Sequence, residues 1–291
     1  MTFFPTQIFF GALLMSETVF TAALSVLALG GVLLFERGGA RGSAIGWLWW
    51  GMAAGAATLV RSEGAALVAV PALAAASLHE WRRAAVIASA AALGAALALA
   101  PWAWRNAVVA GAFVPTSASL GRTLLIGHNP AAAGGMMAIE DRSGEPPPSD
   151  AADEVARDRR MTRAALDFAR RHPGTELGLA VRKVYRMFRG DHEWIEWYGT
   201  RATLSPRLMA LLGRLSNVYY GIVMLLAAAG WLAWWRAPRA SRRFVQWIVI
   251  CWVAMFALIY GSPRFHHPLV PLFCVMAAQA LASRAARVRP A

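Results

Sequence analysis

The sequence predicts an all-α integral membrane protein with about seven transmembrane helices and one extracytoplasmic loop domain of mixed helix and coil. Three observations carry this. Apolar residues make up 58% of the chain and charged residues 15%, against roughly 45–50% and about 25% in soluble domains. The apolar excess lies in long runs almost free of Asp, Glu, Lys and Arg, the pattern of membrane spans rather than of an oversized soluble core. Short arginine clusters separate those runs, as expected where loops return to the cytoplasm.

A span needs about 20 mostly apolar residues. The runs that qualify are 17–35, 43–60, 64–78, 84–104, 213–235, 244–261 and 266–283. An apolar stretch at 3–14 is too short to span and reads as an interfacial or re-entrant helix. Three units follow: membrane helices over 1–104, a loop domain over 105–212 and membrane helices over 213–291. Within the loop domain, 105–150 is rich in Gly, Pro, Ala and Ser and reads as coil, mobile near 140–150. A helix is expected over 150–171, capped by Asp150, with Val155, Met161, Ala165 and Phe168 at helical spacing. His172-Pro173-Gly174 ends it, and a second helix is expected over 175–189. That helix carries Arg182, Lys183, Arg186 and Arg189. Two compatible readings are open for it: a surface helix resting on lipid phosphates, or a guide for an anionic lipid-linked substrate.

Orientation follows from charge. Arg37/Arg41, Arg82/Arg83, Arg236/Arg239/Arg242/Arg243 and Arg284/Arg287/Arg289 fall on one side if seven spans alternate. The positive-inside rule makes that side cytoplasmic, in a plasma (inner) membrane, with the C-terminus inside and 105–212 outside. Met1 is then outside, with no basic leader to carry it there. Either the N-terminus inserts unaided or further helices precede it. The net charge of +13 is the ordinary loop excess of a membrane protein, and no nucleic-acid motif accompanies it. Cys251 and Cys274 lie inside apolar runs and form no disulfide framework or metal spacing.

Ionisable groups in or beside spans are the site candidates. Glu17 reads either as a first-turn helix residue behind an N-cap Ser16 or as a group orienting a substrate hydroxyl or a basic residue in an outer cavity. Arg61, Arg105 and Arg264 fall at outer span ends. They are either interfacial anchors or, together, a site for a phosphodiester or diphosphate head group. Arg61 and Glu63 flank two short spans, so they sit in a recess or snorkel to the interface. His266 and His267 are adjacent and diverge on a helix, which argues against a shared metal. One of them remains a candidate for proton transfer or phosphate contact. No metal-ligating set, no cofactor and no recognised catalytic motif is read from the sequence, and dependence on a divalent metal stays open.

The outer segments have an order of their own. Ser16-Glu17-Thr18-Val19-Phe20 and Val60-Arg61-Ser62-Glu63-Gly64 come first. Trp102-Ala103-Trp104-Arg105-Asn106, Gly111-Ala112-Phe113-Val114-Pro115 and Leu125-Ile126-Gly127-His128-Asn129-Pro130 follow. Then come Ala165-Leu166-Asp167-Phe168, His172-Pro173-Gly174, Val181-Arg182-Lys183 and Arg264-Phe265-His266-His267-Pro268. This order resembles bacterial members of the protein O-mannosyltransferase and aminoarabinose-transferase-like group, which are polytopic GT-C glycosyltransferases. The resemblance implies transfer of a sugar from a polyprenyl-phosphate carrier to a lipid, glycan or protein acceptor of the cell envelope, on the outer face of the membrane. It implies substrate contact by Glu17, Arg61, Glu63, Arg105, Asn129, Lys183, Arg264 and His266. In that group the catalytic base is an acid in the first outer loop, ahead of the region matched by Ser16-Glu17. Met1 to Met15 contain neither Asp nor Glu, so the catalytic residue is unknown and the chain resembles a member lacking its first helices. The alternative is a non-catalytic membrane protein that binds a lipid carrier, assembles with a partner or transports a solute.

Overall fold

The computed structural model describes residues 4–12, 15–37, 44–137, 151–193, 195 and 205–288. Those residues form eleven α-helices and no sheet. The helices are α1 (Pro5–Ala12), α2 (Ser16–Arg37), α3 (Ala44–Val60), α4 (Val70–Ala76), α5 (Trp81–Ala110) and α6 (Leu120–Gly127). Next are α7 (Ala151–Arg171), α8 (Pro173–Phe188), α9 (Pro206–Arg236), α10 (Ala240–Leu258) and α11 (Val270–Val288). Two 3-10 segments, Ser62–Leu67 and Pro263–Leu269, lead into α4 and α11.

Five helical stretches are long and apolar enough to cross a membrane: Ser16–Arg37, Trp81–Ala110, Pro206–Arg236, Ala240–Leu258 and Pro263–Ala282. This makes the chain a plausible multi-pass membrane protein. The other two expected spans are shorter. α3 has 17 residues, about 26 Å at 1.5 Å per residue, and the second is a 3-10 turn followed by a seven-residue helix. Pro71 helps set that short form, because its missing N–H cannot extend a helix begun upstream. The pair forms a hairpin packed on α5, with Arg61-Ser62-Glu63 at its tip. The expected domain edges at 104/105 and 212/213 fall inside α5 and α9, which run on past them. The expected cap at Asp150, the stretch 140–150, Arg41 and Arg289 lie outside the described residues.

Local rules account for the helix ends. Glu17 stands in the first turn of α2 and Arg37 in the last, each matched to the macrodipole. Ser205 caps α9 by accepting from the Leu208 amide at 3.3 Å, with Pro206 at the first helical position. Gly111, at φ +60°, closes α5 in the left-handed conformation.

Small residues set the helix contacts. A Cβ on Gly51 or Gly94 would strike the backbone of the facing helix at Ala91 or Leu48, so α3 and α5 meet backbone to backbone. Large rings fill the rest of the core. Phe35, Trp47, Trp50 and Phe244 pack together, and Phe20 stacks on Trp252 at 5.2 Å. The indole N–H groups of Trp50 and Trp252 donate to Leu27 O at 2.8 Å and Phe265 O at 2.7 Å, satisfying polar atoms that no water could reach in such a core.

α6, α7 and α8 form a cap over one end of this bundle. Asp158 of α7 accepts from the Gly121 amide at 2.6 Å, closing the exposed N-terminus of α6. α8 packs on α10 and on the second 3-10 segment. One backbone bridge fastens the cap: Gly135 pairs with Gly261, and the Gly261 N–H donates to Gly134 O at 2.9 Å.

Candidate functional site

The site candidates gather at the capped end, in three clusters and two cavities. The first cluster is at the hairpin tip. Arg61 meets Glu17 at 2.7 Å and Glu63 at 3.3 Å, and donates to Ser16 Oγ at 3.1 Å. Both the Arg61 and Glu17 side chains are nearly enclosed, at 11% and 6% exposure. The tip therefore turns inward against α2 and does not run out along the surface. Arg264 adds its own field at Glu17. Its guanidinium lies by the Tyr260 hydroxyl, and its backbone N–H donates to Glu193 at 2.7 Å.

Two cavities share this tip. A cavity of about 790 Å³ is bounded by Ser62 and Glu63, by the loop from Phe113 to Leu120, by α7, by Met255 and Leu258 of α10 and by Ile259 just after it. From α7, Arg159 and Arg163 face it one turn apart, together with Val155 and Thr162. A neighbouring cavity of about 620 Å³ is lined by Ser16, Arg61, Trp102 and the same Ser62, Glu63, Thr116 and Ser117. The larger lies within the usual size range of small-molecule sites. Its lining mixes apolar side chains with Ser and Thr hydroxyls, two arginines and two carboxylates, Glu63 and Asp158.

The second cluster joins the cap to α10. His128 Nε2 donates to Leu258 O, while Nδ1 lies 2.7 Å from Glu176 Oε2. Lys183 Nζ is 3.4 Å from His128 Nε2 and 4.0 Å from Glu176. The Lys183 side chain is wholly buried, and burial pushes its ammonium below the usual lysine value, with Glu176 pulling the other way. Gly127 and Gly261 make this possible: a Cβ on either would strike the backbone at Ile259 or Lys183.

The third cluster lies under α1. Asp191, His266 and His267 are buried, with donor atoms within 4.8 Å of one another. His266 Nδ1 donates to Met187 O at 2.8 Å, and its Nε2 is 3.2 Å from Asp191 Oδ1. The ring is sandwiched against Tyr220 and Phe188.

The structure thus brings Glu17, Arg61, Glu63 and Arg264 into one neighbourhood. Arg105 is exposed; its guanidinium stacks over Trp102 at 5.1 Å and meets Asn106 Oδ1 at 3.0 Å. Asn129 is committed to the end of α6, donating to Leu125 O at 2.7 Å and accepting from the Ala131 amide at 2.8 Å. Lys183 and His266 belong to the second and third clusters. Sequence reasoning passed over Arg159, Arg163, Glu176, Asp191 and Glu193. Arg159 and Arg163 carried a signal, the four-residue spacing on a predicted helix; Asp191 and Glu193 carried none, because their partners are about 70 residues away.

No known protein family, no curated protein and no solved structure matches the chain.

Proposed function

We propose that the chain is a membrane glycosyltransferase that takes a sugar from a polyprenyl-phosphate carrier and acts on the outer face of the membrane, on a lipid, glycan or protein of the cell envelope. The supporting observation is the larger cavity: apolar and hydroxyl side chains with Arg159 and Arg163 on one wall and the Arg61–Glu63 pair beside it. That combination suits an amphiphile with an isoprenoid tail and a phosphate head. Arginine holds phosphate in two parallel bonds and keeps its charge at any working pH, and it would steady the phosphate as the leaving group departs. Arg61 is held by Glu17 and Glu63, and the buried Lys183 lies against His128 and Glu176, so neither serves without rearrangement.

A second reading, carrier binding without transfer, has its own support. The two carboxylates lining the larger cavity are engaged: Glu63 by Arg61, and Asp158 by the Gly121 amide. A general base must reach the attacking hydroxyl, and a carboxylate already tied to a cation is a poor one.

The test is binding and turnover in proteoliposomes with a radiolabelled polyprenyl-phosphate sugar. The expected result is saturable binding, weakened about tenfold or more by Arg159→Ala or Arg163→Ala, since a charge-assisted bond contributes roughly 1.5–3 kcal/mol, together with release of the sugar to an envelope acceptor. Binding without release would favour the second reading. No binding at all would overturn both.

A further inference from the structure

The buried group Asp191, His266 and His267 lies apart from the carrier reading and does not depend on it. It joins three remote segments: the turn after α8, the 3-10 segment before α11, and α1, which covers it. Thr6 of α1 bonds Asp191 Oδ2, Gln7 donates to His267 O at 2.9 Å, and the Phe10 ring lies 4.5 Å from the His267 ring.

We propose that Asp191, His266 and His267 bind one divalent transition-metal ion of the zinc class, which staples α1 and the cap to the start of the last span. Proton bookkeeping points there. A carbonyl only accepts, so His266 Nδ1 carries a hydrogen for Met187 O. This is the outer bond that orients metal-binding histidines and frees Nε2 as the ligand. Nε2 then turns toward Asp191 Oδ1 at 3.2 Å, with no solvent exposure on His266. Two lone pairs facing each other in a dry interior need a positive centre between them. A proton on Nε2 would supply one, but it would leave His267 Nδ1 as it stands: buried and, among the described residues, without a hydrogen-bond partner. His267 also brings a ring nitrogen to within 4.8 Å of the His266 and Asp191 donors, and a metal ion would gather all three.

The carboxylate is arranged to match. The Thr6 hydroxyl bonds Asp191 Oδ2, with Ser216 Oγ 3.2 Å from the same oxygen while donating to Asp191 O at 2.7 Å, so Oδ1 is the oxygen left facing the imidazoles. Two imidazoles and one carboxylate are a zinc-type donor set with a fourth position to spare. Donors 4.8 Å apart at most reach tetrahedral spacing by closing about 1.5 Å, given metal bonds of roughly 2.0–2.2 Å.

The experiment uses the full chain purified in detergent without chelator. Metal content by plasma mass spectrometry is expected at about one divalent first-row ion per chain. Chelation should remove it and lower the thermal unfolding temperature, and zinc should restore both. Cobalt added to the stripped protein should give the visible bands of a tetrahedral N/O site. Asp191→Asn and His267→Ala should reduce the metal at least tenfold, while His79→Ala, outside the cluster, should leave it unchanged. The wild-type count decides the matter even where a variant fails to fold. Less than a tenth of an ion per chain after zinc reconstitution, with no cobalt bands, overturns the proposal and leaves a proton-bridged Asp191–His266 pair.

Discussion

The two ends of the helical bundle handle charge in opposite ways. Where α2 ends and α5 begins, arginines lie against rings and helix ends. Arg83 sits 5.2 Å over Phe35 and meets Glu80 at 2.8 Å, Arg243 lies 4.1 Å over Trp235, and Arg242 donates to Ala237 O at 2.9 Å. At the capped end, acids and bases are enclosed together: Glu17–Arg61–Glu63, His128–Glu176–Lys183 and Asp191–His266. A surplus of one sign, spread at a surface, sets how a helix bundle sits in a bilayer and little else. Mixed signs taken out of water are costly, and each must be matched. The difference teaches where to look for function: at the end where charge is buried, not where it is most abundant.

The contrast can be broken most directly at Arg61. Arg61→Leu leaves Glu17 enclosed with no cation in contact, and should cost about 3–5 kcal/mol, the usual penalty for orphaning one member of a buried pair. Unfolding in detergent measures it. Adding Glu17→Gln to the same chain should recover most of the loss. If the single variant is neutral, the tip is wetter than its enclosure indicates and the contrast between the ends fails.

A second comparison sharpens the role of the cap. Gly261→Ala would drive a Cβ into the Lys183 backbone, and overpacking of that kind should cost about 1–3 kcal/mol. Gly221→Ala in α9 meets nothing within 4 Å and should be neutral or stabilising by up to about 1 kcal/mol. Chemical denaturation of the pair separates a docking contact from a simple helix effect.

Next in size is a pH effect confined to the capped end. Lys183 is held below its ordinary value of 10.5 by burial, against the opposing pull of Glu176 and beside His128. Between its lowered folded value and the ordinary one, the unfolded chain binds more protons than the folded chain. Stability from this group therefore rises with pH across that alkaline window. Melting temperatures should show the slope in the wild type, and Lys183→Met should flatten it. An identical slope in both would assign the effect elsewhere.

The smallest effect is expected at the other end. Arg83→Ala removes one ring contact and one partly exposed ion pair, worth about 1 kcal/mol or less. A loss as large as that of Arg61→Leu would erase the distinction between the ends.

Much of the helical architecture was legible because apolar runs and arginine clusters are local signals. The two spans expected to be short are so, and the second is broken further than its run suggests, because hydropathy counts apolar residues but does not weigh Pro71 or the 3-10 turn at Ser62–Leu67. The site was legible only in part. Glu17, Arg61 and Arg264 stood out as charges beside apolar runs. Asn129 drew notice through its neighbours in sequence, yet it serves the end of α6. Helical spacing predicts that adjacent His266 and His267 diverge, whereas on the 3-10 segment their donors lie within 4.8 Å of each other and of Asp191, which arrives from 75 residues away. Glu176 and Asp191 acquire meaning only once the cap is docked.

The bridge between Gly135 and Gly261 has a mechanical consequence. Leu258 O is held by His128, and Gly261 N–H by Gly134, so the cap grips the end of α10 and the chain just beyond it at two points three residues apart. Leu258 and Ile259 also form a wall of the larger cavity. A guest that swells this space must therefore push on a latch. To lift, the cap would have to break both bonds or carry the end of a core helix with it.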